Sequence, residues 1–121
     1  MTLVAPGMQF EDIEVRRGRT LRLYYQKAVN GATEQNNVEE RTILFLHGVG
    51  GCGLLWKKQM EYFHDHGYDV YAPDLYGHGD SQPLEAPKQS DFTFVELRQD
   101  ILELFDWINP TGCVIVSHSY G

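Results

Sequence analysis

The chain has 121 residues, of which 42% are hydrophobic and 22% are charged. Ten Lys and Arg residues against 17 Asp and Glu residues give a net charge of -7, and an acidic surface repels nucleic-acid phosphates and anionic lipid headgroups. The composition excludes a disordered tail and a membrane span, and it predicts one globular unit that binds neither nucleic acid nor a membrane surface.

The cysteines and the N-terminal residues bear on the cellular compartment. Cys52 and Cys113 are too few for a disulfide framework and lack the C-x-x-C spacing of a zinc site. Residues 1–7 contain neither a basic region nor an apolar stretch of secretory-signal length. The sequence therefore predicts reduced thiols, no zinc site with this spacing, and a cytoplasmic protein.

The first third of the chain has the pattern of a hairpin followed by a buried strand. Residues 9–15 and 20–28 have strand character, and Gly18 lies in the turn between them. Residues 30–41 are polar, and we interpret them as a solvated loop. Residues 42–46 form a continuous apolar run, which is typical of a parallel strand covered by helices on both faces.

A helix and a fourth strand are predicted next. Trp56, Met60 and Phe63 recur at helical spacing, and Gly67 is placed to end the helix. Residues 69–74 then form a strand, and residues 76–87 form a loop rich in Gly and Pro.

The last part of the chain predicts a second helix and a fifth strand. Thr93 and Glu96 have the spacing of a capping box. The apolar stripe of this helix comprises Phe94, Leu97, Ile101, Leu104, Phe105 and Ile108. Residues 109–112 end the helix, and residues 114–116 form a final buried strand. The order β-β-β-α-β-α-β predicts an α/β fold with a mostly parallel sheet and an N-terminal antiparallel hairpin.

The last five residues have the pattern of a nucleophile elbow, a sharp turn that lifts a serine hydroxyl above the sheet. This pattern assigns Ser119 as the nucleophile and Gly121 as the position of close backbone approach. Ser117 stands where the pattern usually has a leading glycine. The alternative interpretation is an ordinary Ser- and Gly-rich turn after a buried strand.

A second motif, His47-Gly48-Val49-Gly50, follows the third strand. Acyl transfer builds negative charge on the carbonyl oxygen, and oriented backbone N–H groups stabilise that charge. The Val49 N–H is predicted to be one donor, and the N–H of Tyr120, after the nucleophile, is predicted to be the other. We interpret His47 as a residue that braces the loop; the alternative for the whole motif is a glycine-rich helix start.

A third motif follows the fourth strand and contains Asp74, Gly77, His78, Gly79 and Ser81. Glycines permit a tight excursion of the backbone, and Asp and Ser side chains hydrogen-bond to loop amides. We expect this motif to be structural rather than catalytic, with Asp74 and Ser81 holding the loop around His78.

These three motifs, in this order at strand ends, resemble the N-terminal half of the α/β-hydrolase family. The resemblance extends over residues 10–121, so residues 1–121 are expected to form a partial α/β-hydrolase domain. It implies hydrolysis of an ester, thioester or similar small-molecule acyl substrate by a Ser–His–acid triad without metal or cofactor. It also implies that Ser119 is the nucleophile and that Val49 and Tyr120 are the oxyanion donors.

The acid and the histidine base follow the nucleophile in that family, whereas this sequence stops at Gly121. We therefore expect a fragment of a longer serine hydrolase, truncated at the nucleophile elbow, whose unpaired sheet edge could promote self-association. The competing hypothesis is a non-catalytic binding or interaction protein of the same fold. Ser117 favours this alternative, while Ser119 and the two oxyanion elements argue against it.

Overall fold

The computed structural model describes residues 7–28, 41–83 and 85–118. The strands are β1 (Gln9–Arg16), β2 (Arg19–Gln26), β3 (Thr42–Leu46), β4 (Asp69–Pro73) and β5 (Cys113–Ser117). The helices are α1 (Lys57–Asp65), which follows a 3-10 segment (Gly53–Trp56), and α2 (Phe94–Ile108), which follows a 3-10 segment (Gln89–Phe92). This order confirms the predicted alternation of strands and helices.

The strands form one sheet in the order β1-β2-β4-β3-β5. β2 runs antiparallel to both β1 and β4, and β3 runs parallel to β4 and β5. Four of the five strands therefore point in one direction, as predicted, and β2 alone is reversed within the described sheet.

The two helices cover opposite faces of the sheet. Ile43 and Phe45 of β3 pack with Met60 of α1. Leu44 and Leu46 of the same strand belong to the cluster that contains Leu104 of α2. Alternate residues of a strand point to opposite faces, so β3 is buried on both sides, as its sequence predicted.

The helix ends follow the predicted sequence signals. Gly67, after α1, adopts a φ of +94° and donates its N–H to the carbonyl of His64 at 3.0 Å. The Thr93 hydroxyl accepts a hydrogen bond from the Glu96 N–H at 3.4 Å at the start of α2. Asn109 ends α2 in the left-handed conformation, which short polar side chains tolerate.

Two predictions about burial were wrong. Phe94 was assigned to the buried stripe of α2, but it lies in the first turn and is 58% exposed beside an open apolar cleft. The 114–116 strand was predicted to be buried, but Ile115 is 53% exposed. The reason is that β5 is the outermost strand of the described sheet and pairs there with β3 alone, which confirms the unpaired sheet edge expected for a partial domain.

We propose that the isolated 121-residue chain self-associates through β5. The strand sequence Cys-Val-Ile-Val-Ser carries no charge that would discourage pairing with a second strand. We expect sedimentation velocity to detect concentration-dependent oligomers, and Ile115→Lys to reduce them. An isolated chain that remains monomeric, with no difference from Ile115→Lys, would contradict this expectation.

Candidate active site

The motifs that begin at His47 and Asp74 lie beyond the carboxyl ends of β3 and β4, and His118 lies beyond the carboxyl end of β5. These three strand ends meet at one edge of the parallel part of the sheet. Parallel α/β sheets bind ligands at this edge. After β5, the His118 N–H donates to the Leu46 carbonyl at 3.1 Å, so the chain leaving β5 starts beside the end of β3. The motif that begins at His47 is therefore adjacent to the segment that leads into Ser119.

The motif after β3 forms a tight turn. The Gly51 N–H donates to the Gly48 carbonyl at 3.0 Å, which closes a four-residue turn. Gly50 has a φ of +79°, the conformation that a type II turn requires at its third residue and that favours glycine. Val49 is 67% exposed, and its N–H donates to no acceptor in the described part of the chain. The turn thus presents an amide that is available to a ligand.

His47 is buried and links this turn to the next loop. Its Nε2 accepts a hydrogen bond from the Leu75 N–H at 2.9 Å, and its Nδ1 lies 2.7 Å from the Gly48 carbonyl oxygen. An acceptor at Nε2 and a donor at Nδ1 require the neutral Nδ1–H tautomer. Both ring nitrogens are therefore engaged, which leaves His47 no free nitrogen to serve as a general base.

The electrostatics of His47 agree with a neutral ring. Burial lowers the pKa of His47 below its ordinary value of 6.5. The hydrogen bond to the Gly48 carbonyl opposes this shift, and the His78 ring, whose centroid is 5.0 Å away, adds to it. The ring thus remains uncharged at neutral pH.

Asp74 has a role after β4 like that of His47 after β3, because its side chain hydrogen-bonds to backbone groups of two loops. One carboxylate oxygen accepts from the Gly53 N–H at 2.6 Å, and the other accepts from the Asp80 N–H at 2.9 Å. A Cβ at Gly79 would overlap this carboxylate. Burial raises the pKa of Asp74, while the two amide donors oppose the rise. With both oxygens engaged in loop contacts, Asp74 holds backbone segments together.

Ser81 and Gly77 close the loop on itself and on β2. The Ser81 hydroxyl donates to the Asp74 carbonyl at 2.6 Å and accepts from the Arg22 N–H at 2.7 Å. The Gly77 N–H donates to the Ser81 carbonyl at 2.7 Å. His78 lies within this loop, and its Nδ1 is 3.2 Å from the Tyr76 carbonyl oxygen. The loop is thus held in place by side chains of its own sequence motif.

Gly53 is a site residue whose role was not predicted from the sequence. A Cβ there would lie 2.7 Å from the Ala72 carbonyl oxygen and 3.1 Å from the Tyr24 ring. Glycine lets the backbone come close enough for the Gly53 N–H to reach Asp74. The Gly-rich composition of residues 50–53 was the available signal, but it does not reveal which glycine makes the close approach.

The predicted nucleophile Ser119, the predicted donor Tyr120 and Gly121 lie outside the described residues. Their roles remain predictions from the sequence, as does the oxyanion role of Val49. The structure describes the end of β5, the turn after β3 and the loop after β4.

A cleft of about 170 Å³ opens between the turn after β3 and the start of α1. Its lining residues are His47, Gly48, Leu55, Trp56, Gln59 and His118. A larger apolar cleft, about 250 Å³, lies along α2 and includes Phe94 and Leu102. We assign the candidate active site to the smaller cleft because it combines the turn after β3 with the residue that precedes Ser119.

The described ranges 7–28, 41–83 and 85–118 contain neither a cluster of metal ligands nor a membrane-spanning helix. Within them, no group of three or more His, Cys, Asp or Glu side chains is arranged to hold a metal ion. Nor does any helix there have the length and apolar character needed to cross a bilayer. Cys52 and Cys113 form no disulfide bond.

The chain belongs to the alpha/beta hydrolase fold family, whose model matches residues 41–121. Protein ABHD8 from cattle is 39% identical over 79 residues, a match that covers 65% of this chain and 18% of ABHD8. The mouse protein is 41% identical over the same length. The motifs after β3, β4 and β5 also resemble those of α/β-hydrolase domain-containing protein 8 and its relatives, and the ABHD8 matches agree with that resemblance.

Epoxide hydrolases are similar as well. Epoxide hydrolase 2 of Siraitia grosvenorii is 32% identical over 79 residues and is covered over 24% of its length. The crystal structure of epoxide hydrolase VrEH1 from Vigna radiata superposes with a TM-score of 0.76 at 28% identity. That superposition covers 98% of this chain and 34% of VrEH1. The chain thus spans at most about a third of the length of these relatives.

Proposed function

We propose that this chain supplies the nucleophile and the oxyanion hole of a serine hydrolase that cleaves a carboxylic ester, thioester or similar acyl bond. The observation that carries the proposal is the hydrogen bond from the His118 N–H to the Leu46 carbonyl, at 3.1 Å. It starts the segment leading into Ser119 next to a turn in which Val49 is exposed and its N–H has no acceptor within the described residues. A nucleophile and an amide donor near one carbonyl group are the two parts that acyl transfer needs from this edge of the sheet.

The proposed reaction has two steps, acylation of Ser119 and hydrolysis of the acyl-serine ester. The Ser119 hydroxyl attacks the carbonyl carbon of the substrate and passes its proton to a base. The electron pair of the carbonyl π bond moves onto the oxygen, and the N–H groups of Val49 and Tyr120 stabilise the resulting negative charge. Collapse of this intermediate expels the alcohol or thiol, which takes the proton from the base. Water then attacks the acyl-serine ester in the same way, which releases the acid and restores Ser119.

The base in this proposal is a histidine that follows Ser119 in the chain, as is usual for the fold. Both ring nitrogens of His47 are engaged. His66 and His78 each have a ring nitrogen at a backbone carbonyl, of Tyr62 and Tyr76 respectively. His118 is the immediate neighbour of Ser119, so its ring is expected to point away from the serine hydroxyl.

Sequencing the transcript past Gly121 would test whether the base follows Ser119. We expect an Asp or Glu and a later His at strand ends.

Epoxide hydrolysis is the second candidate, favoured by the epoxide hydrolases among the relatives. The chemistry of Ser119 argues against it. If a serine oxygen opened an epoxide, the product on the enzyme would be an ether, which offers water no carbonyl carbon to attack. An acyl group on the same oxygen forms an ester, which water can hydrolyse.

A comparison of substrates separates the two candidates. We expect the full-length gene product to hydrolyse p-nitrophenyl butyrate and to leave styrene oxide unchanged, with ester turnover lost in Ser119→Ala. Ser117→Ala is the matched control, because it removes a neighbouring hydroxyl and keeps the nucleophile. Turnover of styrene oxide without ester hydrolysis would favour the second candidate. Inactivity toward both, with a stop codon directly after Gly121, would favour a non-catalytic binding protein.

A further inference from the structure

The cleft beside the turn after β3 has a wall built from one short stretch of sequence. Leu55 and Trp56 come from the 3-10 segment (Gly53–Trp56), and Gln59 comes from the first turn of α1. Leu55 is 68% exposed although it is a large apolar side chain. The Trp56 ring packs on the buried Phe45 ring with centroids 5.2 Å apart, which holds this side of the cleft against the core.

The lining of the cleft suits an uncharged group. Among the residues that the structure describes, no Asp, Glu, Lys or Arg side chain lines it. His47 is buried as the neutral tautomer described above, with both nitrogens engaged by Gly48 and Leu75. A charged group entering the cleft would lose hydration without gaining an opposite charge, whereas an alkyl group would bury apolar surface against Leu55 and Trp56.

The volume of the cleft sets how much of that group it can bury. The cleft measures about 170 Å³, and a protein cavity of roughly 150 Å³ holds one benzene molecule, about six carbon atoms. A chain of about four to six carbons therefore fills the cleft, and a chain of about ten extends beyond it.

We propose that this cleft is the acyl pocket, that it selects short uncharged acyl chains, and that Leu55 is a specificity-determining residue. The inference rests on the proposed acyl hydrolysis. The acyl group stays attached to Ser119 through both steps, whereas the alcohol must leave. A small cleft next to the oxyanion turn therefore suits the group that stays.

Hydrolysis of p-nitrophenyl acetate, butyrate, hexanoate, octanoate and decanoate by the full-length gene product tests the proposal. We expect kcat/KM to be highest for butyrate or hexanoate and at least about tenfold lower for decanoate, since one excess methylene in a pocket changes specificity about 10- to 200-fold. Leu55→Ala should move the optimum to octanoate. Leu55 is exposed, so this substitution is not expected to impair folding.

Two controls make the outcomes distinct. Leu102→Ala shortens another exposed leucine, in the larger cleft along α2, and should leave the acyl profile unchanged. In a series of butyrate esters with alcohols of increasing length, Leu55→Ala should not alter the preference. An unchanged acyl profile in Leu55→Ala, or an altered alcohol preference instead, would overturn the pocket assignment while leaving ester hydrolysis intact. Failure to hydrolyse any ester would overturn the proposed function and the pocket with it.

Discussion

Replacing Asp100 with alanine is expected to lower the free energy of unfolding by about 3–5 kcal/mol, the usual cost of removing one partner of a buried ion pair. Asp100 of α2 is fully buried and accepts from Arg16 at 2.8 Å and from Arg19 at 2.8 and 2.7 Å. These contacts join the β1–β2 hairpin to α2. The substitution would leave the buried guanidinium of Arg19 without its carboxylate.

Denaturant unfolding of the full-length gene product measures this effect. Glu96→Ala is the matched control. Glu96 also pairs with Arg16, at 2.9 Å, but its side chain is partly exposed. Exposed ion pairs contribute only about 0–1 kcal/mol. Similar losses in the two variants would show that the burial of Asp100 has no particular consequence.

Replacing His47 with alanine is expected to lower kcat for ester hydrolysis by about 10²–10³-fold, the cost of losing one oxyanion donor. The substitution removes the contacts to Leu75 and Gly48 and so releases the turn that carries Val49. His78→Ala should have a smaller effect, because within the described residues the His78 ring contacts its own loop and the His47 ring and bonds to no amide of another loop. Neither substitution should remove the limb of the pH–rate profile that reports the base. Loss of that limb in either variant would show that the substituted histidine is the base.

The same histidine predicts a pH dependence of stability. Because burial lowers the pKa of His47 below 6.5, the unfolded chain takes up a proton at a higher pH than the folded chain. The stability contributed by neutral His47 is therefore present above about pH 6.5 and is lost as the pH falls below that value. His47→Asn, which does not titrate there, should lose less stability between about pH 6.5 and 5. Equal losses would contradict the neutral buried ring.

The arrangement of strands and helices was predictable because each element has its own local pattern. The continuous apolar run of β3 predicts burial on both faces, and that burial is observed. The apolar pattern of Val114 and Ile115 alone predicts a central strand. It was the resemblance to the N-terminal half of a larger domain that predicted an unpaired sheet edge. The position of a strand in the sheet depends on long-range pairing, which periodicity along the chain does not contain.

The loop contacts of the candidate site were partly predictable. Asp and Ser at the ends of a Gly-rich loop predict contacts with loop amides, and Asp74 and Ser81 make such contacts. Asp100 was missed, although it lies on the same face of α2 as Leu97 and Leu104. The available signals were a charged residue within an apolar stripe and two arginines, Arg16 and Arg19, on either side of the hairpin turn. The sequence alone does not show that this carboxylate pairs with these arginines, because the pairing depends on the fold.

The most direct test of the account is whether Ser119 is an activated nucleophile. A fluorophosphonate probe labels serines that a base activates, and tandem mass spectrometry of the peptide containing Ser117 and Ser119 locates the adduct. We predict an adduct on Ser119 in the full-length gene product and none on the isolated 121-residue chain, because a serine without a positioned base is a weak nucleophile. An adduct on Ser117, or an unlabelled full-length protein that still hydrolyses esters, would contradict the assignment of Ser119.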